Sequence, residues 1–421
     1  MPATGHSERD PPGPPVTTST RISTFHALRH RDFRLLWSGL AVSAVGTWMQ
    51  IVAQSLLVLD LTHGSALALG TVSLTQALSF LLFAPLGGGV ADRFDRRRLL
   101  LLTQTLMMTF AALLGVLTAV GAIRFWMIPV IAFFSSATLS FDQPARNALA
   151  FSLVPADALM NAVSLQSAVF NGASVLGPAL AGITLSRLGY SANFFLNAVS
   201  FLAVLIALSL LRNPPGGPSR KPHAGFLRSL EEALRCIRQD VVLPFLIAGY
   251  AALLFLGPSV TLMVPFFTRE ILKAGAGDLG LLFSAVGAGT VLGAISIASL
   301  GNPRHKERIA FGAMILWTTV LATFGLTRSL SMAVLVLVLF GAAQNAAGTT
   351  TITLLQMRVP PEMRGRAMSI NTLLIMCLRP LGDFPAGAVI SWLGFRPTVL
   401  ISATLVGVVL LILGFSARRR L

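Results

Sequence analysis

The chain has 421 residues, of which 54% are hydrophobic and 11% are charged, and its mean hydropathy is +0.76. Soluble domains carry about 25% charged residues, so this composition excludes a water-soluble protein and indicates an integral membrane protein. The net charge of +16 does not indicate nucleic-acid binding, because the basic residues lie in short breaks between apolar runs and are not interleaved with aromatic residues.

Twelve apolar runs follow a polar N-terminal segment. Residues 1–24 are rich in Pro, Ser and Thr and lack the apolar stretch of a secretory signal, which predicts a disordered cytoplasmic tail. Each run has roughly 18 to 27 residues, enough to cross a hydrocarbon core of ~30 Å as a helix. The runs are centred on Gly46, Leu78, Thr109, Phe134, Ser174, Phe201, Leu254, Gly289, Trp317, Ala343, Pro380 and Gly407. The sequence therefore predicts an all-α membrane protein with twelve transmembrane helices.

The longest break between runs, residues 212–240, divides them six and six. This division predicts an N-terminal six-helix bundle over residues 25–211 and a C-terminal six-helix bundle with a short basic tail over residues 241–421. Most of the 32 Lys and Arg residues lie on the side of the N-terminus. Because loops rich in Lys and Arg stay in the cytoplasm, both termini are predicted to be cytoplasmic in a multi-pass protein of the inner (plasma) membrane.

The second part of this break has a helical pattern. From Phe226 to Arg238, apolar residues recur at helical spacing opposite charged residues. This pattern predicts a short amphipathic helix on the inner membrane face. A solvated helix that only tethers the two bundles fits the same pattern.

The two groups of runs share an internal repeat. A shift of 205 residues without a gap aligns eleven positions between Val154 and Tyr190 with identical residues in the second half. The matched positions in the first half are Val154, Pro155, Ala162, Ser164, Leu176, Gly177, Ala181, Gly182, Ser186, Leu188 and Gly189. Pro and Gly in register over this length indicate duplicated, parallel, pseudo-symmetric units, which place a binding site between them near the bilayer midplane.

The loop between the second and third runs carries a motif. It contains, in order, Gly88, Asp92, Arg93, Arg97 and Arg98. This order resembles the signature loop of the major facilitator superfamily, although Asp95 stands where that family commonly has glycine. Small residues let helices pack closely and Asp92 can accept hydrogen bonds, so we expect an inner gate here. The alternative is that the arginines only fix the orientation of the chain.

The fourth run carries Asp142 and Arg146, four residues apart on one helical face, where the two can pair. We expect both residues at the inner gate; the alternative is an interfacial ion pair of little consequence. This segment, the following Val154 and Pro155 and the glycines of the fifth run are similar to the enterobactin-exporter-like, or transmembrane secretion effector, branch of the superfamily.

The fifth run contains Gly177, Pro178 and Gly182, which resemble the antiporter signature of exporters in the superfamily. Of the glycines that precede this segment in the long form of the signature, only Gly172 is present. Proline removes a backbone donor and glycine lets a neighbouring helix approach. We predict that this segment flexes as the two halves rock, with a mere packing kink as the alternative.

The eleventh run is interrupted near its middle by Arg379 and Asp383. Ionisable groups at that depth are costly unless they are paired or face a polar cavity, and they mark functional sites. The two residues are four apart, where they can pair, although Pro380 and Pro385 disturb regular helix. Our hypothesis is that Asp383 binds and releases a proton under the influence of Arg379. A permanent structural bridge is the alternative.

Uncharged polar residues within the runs are candidates for the wall of a substrate cavity. They are Gln50, Gln54, Gln76, Asn171, Gln344, Asn345 and Asn371. A polar side chain in a span also hydrogen-bonds to neighbouring helices without any such role. Since the other residues of the runs are largely aliphatic and aromatic, the composition favours a bulky, partly apolar passenger.

These features predict a secondary transporter that alternates its opening between the two membrane faces. We expect proton-coupled efflux of a hydrophobic small molecule, drug-like or siderophore-like, by a monomer in the lipid bilayer. A proton-coupled or facilitated importer, and a non-transporting sensor or scaffold with the same fold, are the alternatives. No phosphate-binding loop, metal-binding spacing or catalytic cluster occurs in the sequence, so neither a cofactor nor a metal nor an enzyme is predicted.

Overall fold

The computed structural model describes residues 25–212, 226–301 and 303–418, and residues 91, 92, 226–229, 417 and 418 are described by their backbone alone. The tail predicted over residues 1–24 and the first part of the 212–240 break lie outside the described residues.

Regular structure in the described ranges is helical. The helices are α1 (Arg31–Leu61), α2 (Ala66–Arg93), α3 (Arg96–Ala119), α4 (Met127–Ser152), α5 (Leu159–Ser209), α6 (Phe226–Gln239), α7 (Leu243–Leu256), α8 (Val260–Phe266), α9 (Ala276–Ser299), α10 (Lys306–Leu326), α11 (Leu330–Arg358), α12 (Arg364–Leu373), α13 (Arg379–Leu393) and α14 (Phe395–Arg418). Because a bilayer core has no water to satisfy backbone groups, long apolar segments are stable there as helices. The side chains of Ser65, Asp95, Ser259 and Ser329 cap α2, α3, α8 and α11.

Ten helical stretches of the described chain are long and apolar enough to cross a membrane. One of them includes α5, whose 51 residues extend over about 77 Å, more than twice the thickness of a hydrocarbon core. This helix changes direction at Gly189, where φ is 77°, and so contains two of the predicted runs. The remaining predicted run is α4, which is 26 residues long but less apolar because it carries Asp142, Gln143 and Arg146.

The internal repeat is visible in the backbone. Gly394, which follows Gly189 by the repeat length, has a φ of 86° and also joins two long helices. This left-handed conformation favours glycine because a side chain there is strained. The short 3-10 helices Ala156–Ala158 and Pro361–Met363 are likewise one repeat length apart.

The chain forms two helical bundles. We call α1–α5 the N bundle and α7–α14 the C bundle; the basic end is the end at which α1 begins and α2 ends, and the far end is the opposite one. The bundles meet where α5 crosses α9 and where α2 crosses α13. Glycines allow both crossings: a Cβ on Gly280 of α9 would lie 2.9 Å from the Cα of Gly182, and a Cβ on Gly70 of α2 would lie 2.7 Å from the backbone oxygen of Asp383.

The amphipathic pattern does form a helix, α6, and it packs on the basic end of the C bundle. Ala233 and Ile237 are buried against the protein, and Glu232 forms an ion pair with Arg366 of α12. Beyond α6, Asp240 pairs with Arg358 at 3.3 Å. Burial raises the pKa of Asp240, but hydrogen bonds from the backbone of the first turn of α7, together with Arg358, hold it below its ordinary value.

Candidate functional site

A cavity of about 410 Å³ lies between the bundles. Its wall consists largely of N-bundle residues, and the C bundle contributes Thr261 and Met376. Toward the basic end the cavity reaches Asp142, Arg146 and Phe170. It therefore extends from Val58, Leu69 and Leu114, nearer the far end, toward the basic end, while the bundles touch at the far end.

Asp142 and Arg146 form the charged part of this wall. The carboxylate of Asp142 is fully buried, and its Oδ1 accepts hydrogen bonds of 2.8 Å from Thr103 Oγ1 and Gln104 Nε2. Its Oδ2 lies 3.4 Å from Arg146 Nε, the ion pair that the four-residue spacing allows. The guanidinium of Arg146 also stacks over the ring of Phe170, 5.7 Å from its centroid. These contacts connect α3, α4 and α5 within the N bundle.

In the loop that carries the predicted gate, the hydrogen bonds of the Asp95 and Arg97 side chains stay within the N bundle. Arg97 donates to the backbone oxygen of Ser209 at 2.8 Å, within the N bundle, and Arg93 and Arg98 are exposed. No atom lies within 4 Å of the position of a Cβ on Gly88. The side chain of Asp92 lies outside the description. Asp95, which stands in place of the family's glycine, caps α3 through the backbone N–H of Arg98.

Asp383 lies where α13 crosses α2, between the two bundles, and is 2% exposed. Its Oδ1 accepts the backbone N–H of Ser259 at 2.9 Å, and its Oδ2 accepts the Ser259 hydroxyl at 2.7 Å. Ser259 is available because the seventh span breaks at Gly257 and Pro258 and restarts as α8. A broken helix is a common way to build an ion or substrate site in a membrane.

The pairing of Arg379 with Asp383 that the four-residue spacing allows is not formed in this conformation. Of the ion pairs within 4.0 Å in the described chain, none joins the two residues. The Nη2 and Nη1 of Arg379 instead donate to the side-chain oxygen of Gln344 on α11, at 2.9 and 3.2 Å, once the amide is oriented to suit both groups. A π-helical turn, Leu374–Leu378, precedes α13, the helix on which Arg379 and Asp383 both lie.

Gly177, Pro178 and Gly182 lie at helix contacts. A Cβ on Gly177 would lie 2.9 Å from the backbone oxygen of Val45 on α1, and Gly182 faces α9. Helix α5 continues through Pro178 and departs from helical φ and ψ at Gly189. These residues therefore permit close packing, and their flexing remains a prediction.

The amide side chains fall into two groups. Gln50, Gln54 and Gln76 line the cavity, and Gln50 accepts from Asn197 Nδ2 at 2.7 Å. The described wall does not include Asn171, Gln344, Asn345 or Asn371. Of these four, Gln344 binds Arg379, Asn345 accepts from Thr349 at 3.2 Å, the backbone oxygen of Asn171 accepts from Ser174 at 2.8 Å, and Asn371 is buried.

A polar contact between the bundles at the far end was missed by sequence reasoning. Asp60, at the end of α1, accepts a hydrogen bond from Tyr190 and forms an ion pair with Arg269, which follows α8. Glu270 lies 3.7 Å from the same guanidinium. The only sequence signal is a carboxylate at the end of an apolar run. This contact joins the bundles when the far end is closed, and we call it the far-end ion pair.

Replacing Asp60 with asparagine is expected to shift the chain toward a conformation that is open at the far end. The substitution removes the ion pair with Arg269, whose two side chains are 38% and 34% exposed. Such partly hydrated pairs contribute no more than about 1 kcal/mol, so we expect a shift of at most about fivefold in the open-to-closed ratio. Distances between spin labels on the exposed Leu188 and Trp392 measure it.

Arg187→Gln serves as the control, because Arg187 is exposed at the same end. It changes the charge of this surface without touching the far-end ion pair. An unchanged distance distribution in Asp60→Asn would show that this contact does not hold the far end closed.

The chain resembles known transporters over nearly its whole length. The sequence profile of the transmembrane secretion effector family matches residues 22–420. Macrolide efflux protein A of Streptococcus pyogenes is 21% identical over 379 residues, which cover 89% of this chain and 93% of that protein. The enterobactin exporter EntS of Citrobacter koseri is 28% identical over 393 residues, which cover 91% of this chain and 90% of that protein.

A solved structure shows the same fold. It is a bacterial homologue of the human lysosomal transporter Spinster in an inward-facing, unoccupied conformation, with a TM-score of 0.71, 15% identity, and coverage of 92% of this chain and 97% of that chain. The arrangement of bundles, crossings and cavity described above is thus that of a transporter fold. The chain belongs to the transmembrane secretion effector family of the major facilitator superfamily of membrane transporters.

Proposed function

We propose that this protein exports a bulky, partly apolar small molecule from the cytoplasm in exchange for protons. The observation that carries the proposal is Asp383, a carboxylate buried within a membrane span and hydrogen-bonded to Ser259 where that span meets the other bundle. A carboxylate at this depth costs free energy, and for that reason it marks a functional residue, such as a group that binds a proton. Loss of the charge on protonation changes what the group binds, and this couples proton occupancy to the packing of the bundles.

The cavity supports the class of passenger. Its volume of about 410 Å³ lies in the range of drug-sized ligand sites. Gln50, Gln54 and Gln76 offer amide donors and acceptors, while Trp48 and Met107 offer apolar surface. Such a wall suits an amphipathic molecule with several hydroxyl or carbonyl groups, and the names of the macrolide and enterobactin exporters among its relatives agree with this class.

The proposed direction rests on the efflux relatives, and the cavity supplies the cytoplasmic opening that export requires. Basic residues concentrate at that end, as they do on cytoplasmic faces, and the cavity extends toward it. The conformation described here then takes up its passenger from the cytoplasm. Both termini are cytoplasmic in this arrangement.

Transport of radiolabelled erythromycin by the purified full chain in proteoliposomes tests the proposal. With an acidic lumen, and with the basic end outside, we expect erythromycin accumulation and luminal alkalinisation well above those in protein-free liposomes, where an acidic lumen traps this weak base without a transporter. Collapse of the pH gradient should abolish both signals. Three outcomes would contradict the proposal: erythromycin accumulation that does not depend on the pH gradient, erythromycin movement in the opposite direction, or no erythromycin transport by folded protein.

A further inference from the structure

Two hydroxyl groups connect the carboxyl group of Asp383 to the cavity. Ser259 Oγ donates to Asp383 Oδ2 at 2.7 Å and lies 2.8 Å from Thr261 Oγ1. Thr261 belongs to the described cavity wall, whereas Asp383 does not. We propose that Thr261 and Ser259 form a proton relay through which Asp383 exchanges its proton with the cavity. This inference rests on the proposed function, because it presumes that Asp383 binds the coupling proton.

The break in the seventh span fixes the relay in place. Ser259 caps α8, and its Oγ accepts the backbone N–H of Leu262 at 3.2 Å. Its own backbone N–H donates to Asp383 Oδ1 at 2.9 Å. Ser259 Oγ is therefore held between the carboxylate and Thr261 by contacts that do not depend on which of the hydroxyl groups donates. Two short hydrogen bonds in series form a continuous path for a proton.

The proton step conserves atoms and charge. With Asp383 ionised, Thr261 Oγ1 donates to Ser259 Oγ, and Ser259 Oγ donates to Asp383 Oδ2. A hydronium ion in the cavity gives a proton to Thr261 Oγ1 and becomes water. The former Thr261 proton passes to Ser259 Oγ, and the former Ser259 proton forms an O–H bond with Asp383 Oδ2. No electron transfer is needed, and the reverse sequence releases the proton.

The neighbours of Asp383 define one rival entrance. Arg379 on the same helix, and beyond it Tyr250 on α7, are the ionisable groups that act on this region among the described residues. Helix α8 presents Ser259, and α2 presents Ser73, which contacts the carboxyl group and also lines the cavity. Ser73 is thus the alternative path. We favour the path through Ser259 and Thr261 because its two hydrogen bonds are short, at 2.7 and 2.8 Å.

The proton itself is the probe in the test. Protons are released by a laser flash from a caged acid around the purified full chain, and time-resolved infrared spectroscopy follows the carboxylic C=O band that is absent in Asp383→Asn. In Thr261→Val the band should reach its wild-type amplitude on the order of a hundredfold more slowly, the loss expected when a positioned proton-transfer group is removed. Thr261→Ser should restore the rate because it keeps the hydroxyl.

Thr268→Val is the matched control. Thr268 is buried in the same span, and its hydroxyl donates to the backbone oxygen of Val264, so the variant should protonate Asp383 at the wild-type rate. A wild-type rate of Asp383 protonation in Thr261→Val, or slow protonation in Ser73→Ala alone, would overturn the relay. The proposed coupling role of Asp383 would still stand in either case, because the band would show that Asp383 binds the proton. If Asp383→Asn shows the same band as the wild type, the coupling role of Asp383 fails, and the relay fails with it.

Discussion

Asp383→Asn is expected to uncouple transport from the proton gradient while the protein stays folded and still moves its passenger down a concentration gradient. Asparagine has nearly the shape of aspartate and reproduces its contacts: Oδ1 can accept the backbone N–H of Ser259, and Nδ2 can donate to Ser259 Oγ. It cannot bind or release a proton near neutral pH. The change therefore removes titration without creating a cavity.

The size of the effect follows from the role of the group. If Asp383 is the site at which the coupling proton binds, gradient-driven accumulation should fall on the order of a hundredfold, as for other positioned proton-transfer groups. Exchange of passenger at equal pH on both sides requires no proton and should continue. The substitution thus separates the energy source from the path of the passenger.

Two assays on the same proteoliposomes measure this difference. One follows erythromycin accumulation driven by an acidic lumen, and the other follows erythromycin exchange without a gradient. Asp157→Asn is the control, because Asp157 is a largely exposed carboxylate in the loop before α5. Undiminished gradient-driven accumulation by Asp383→Asn would remove Asp383 from the coupling mechanism.

The helices and their duplication are predictable from the sequence for a local reason. In a bilayer each apolar segment must satisfy its own backbone hydrogen bonds, so hydropathy alone predicts a helix. The repeat is detectable because close crossings and left-handed corners require glycine at fixed places. Gly189 and Gly394 match in the sequence and have matching φ values in the structure.

The partners of the buried charges are not predictable in this way. The four-residue spacing of Arg379 and Asp383 suggests a pair, but hydrogen-bonding groups outside this helix bind the two side chains instead. Gln344 binds the guanidinium and Ser259 binds the carboxylate. Both partners are distant in the chain, and hydropathy and local spacing contain no information about such contacts.

The contacts between bundles also depend on conformation. The loop that contains Gly88 and Arg93 matches a family motif, yet the hydrogen bonds of its Asp95 and Arg97 side chains stay within the N bundle in this conformation. The far-end contact of Asp60 with Arg269 has no motif and is formed. A sequence encodes the contacts of every conformation of a transporter. One conformation, by contrast, shows only the contacts that stabilise that conformation.

Gly280→Ala is expected to weaken closure of the far end and to slow transport. The new Cβ would lie 2.9 Å from the Cα and 3.1 Å from the backbone N of Gly182 on α5, and closer still to the backbone oxygen of Pro178. Since these are backbone atoms, no side-chain rotation relieves the contact. The two bundles must therefore separate locally. This separation raises the free energy of the state in which the far end is closed, and of that state alone.

The intrinsic effect of the substitution has the opposite sign. Alanine within a helix is more stable than glycine by about 0.5–1 kcal/mol, so lost transport cannot come from a weaker α9. Overpacking of this kind costs about 1–3 kcal/mol, which corresponds to a shift of roughly 5- to 150-fold in the ratio of the two states. Gly280→Val adds volume at the same point and should have a larger effect.

Gly277→Ala is the matched control on the same helix, because no atom lies within 4 Å of the position of its Cβ. Spin labels on Leu188 and Trp392 should report a longer far-end distance in Gly280→Ala and the wild-type distance in Gly277→Ala, and erythromycin exchange should slow only in the former. Thermal unfolding of each variant separates a shift between states from loss of the fold. Wild-type distances and wild-type exchange in Gly280→Ala would mean that α5 and α9 need not touch when the far end closes.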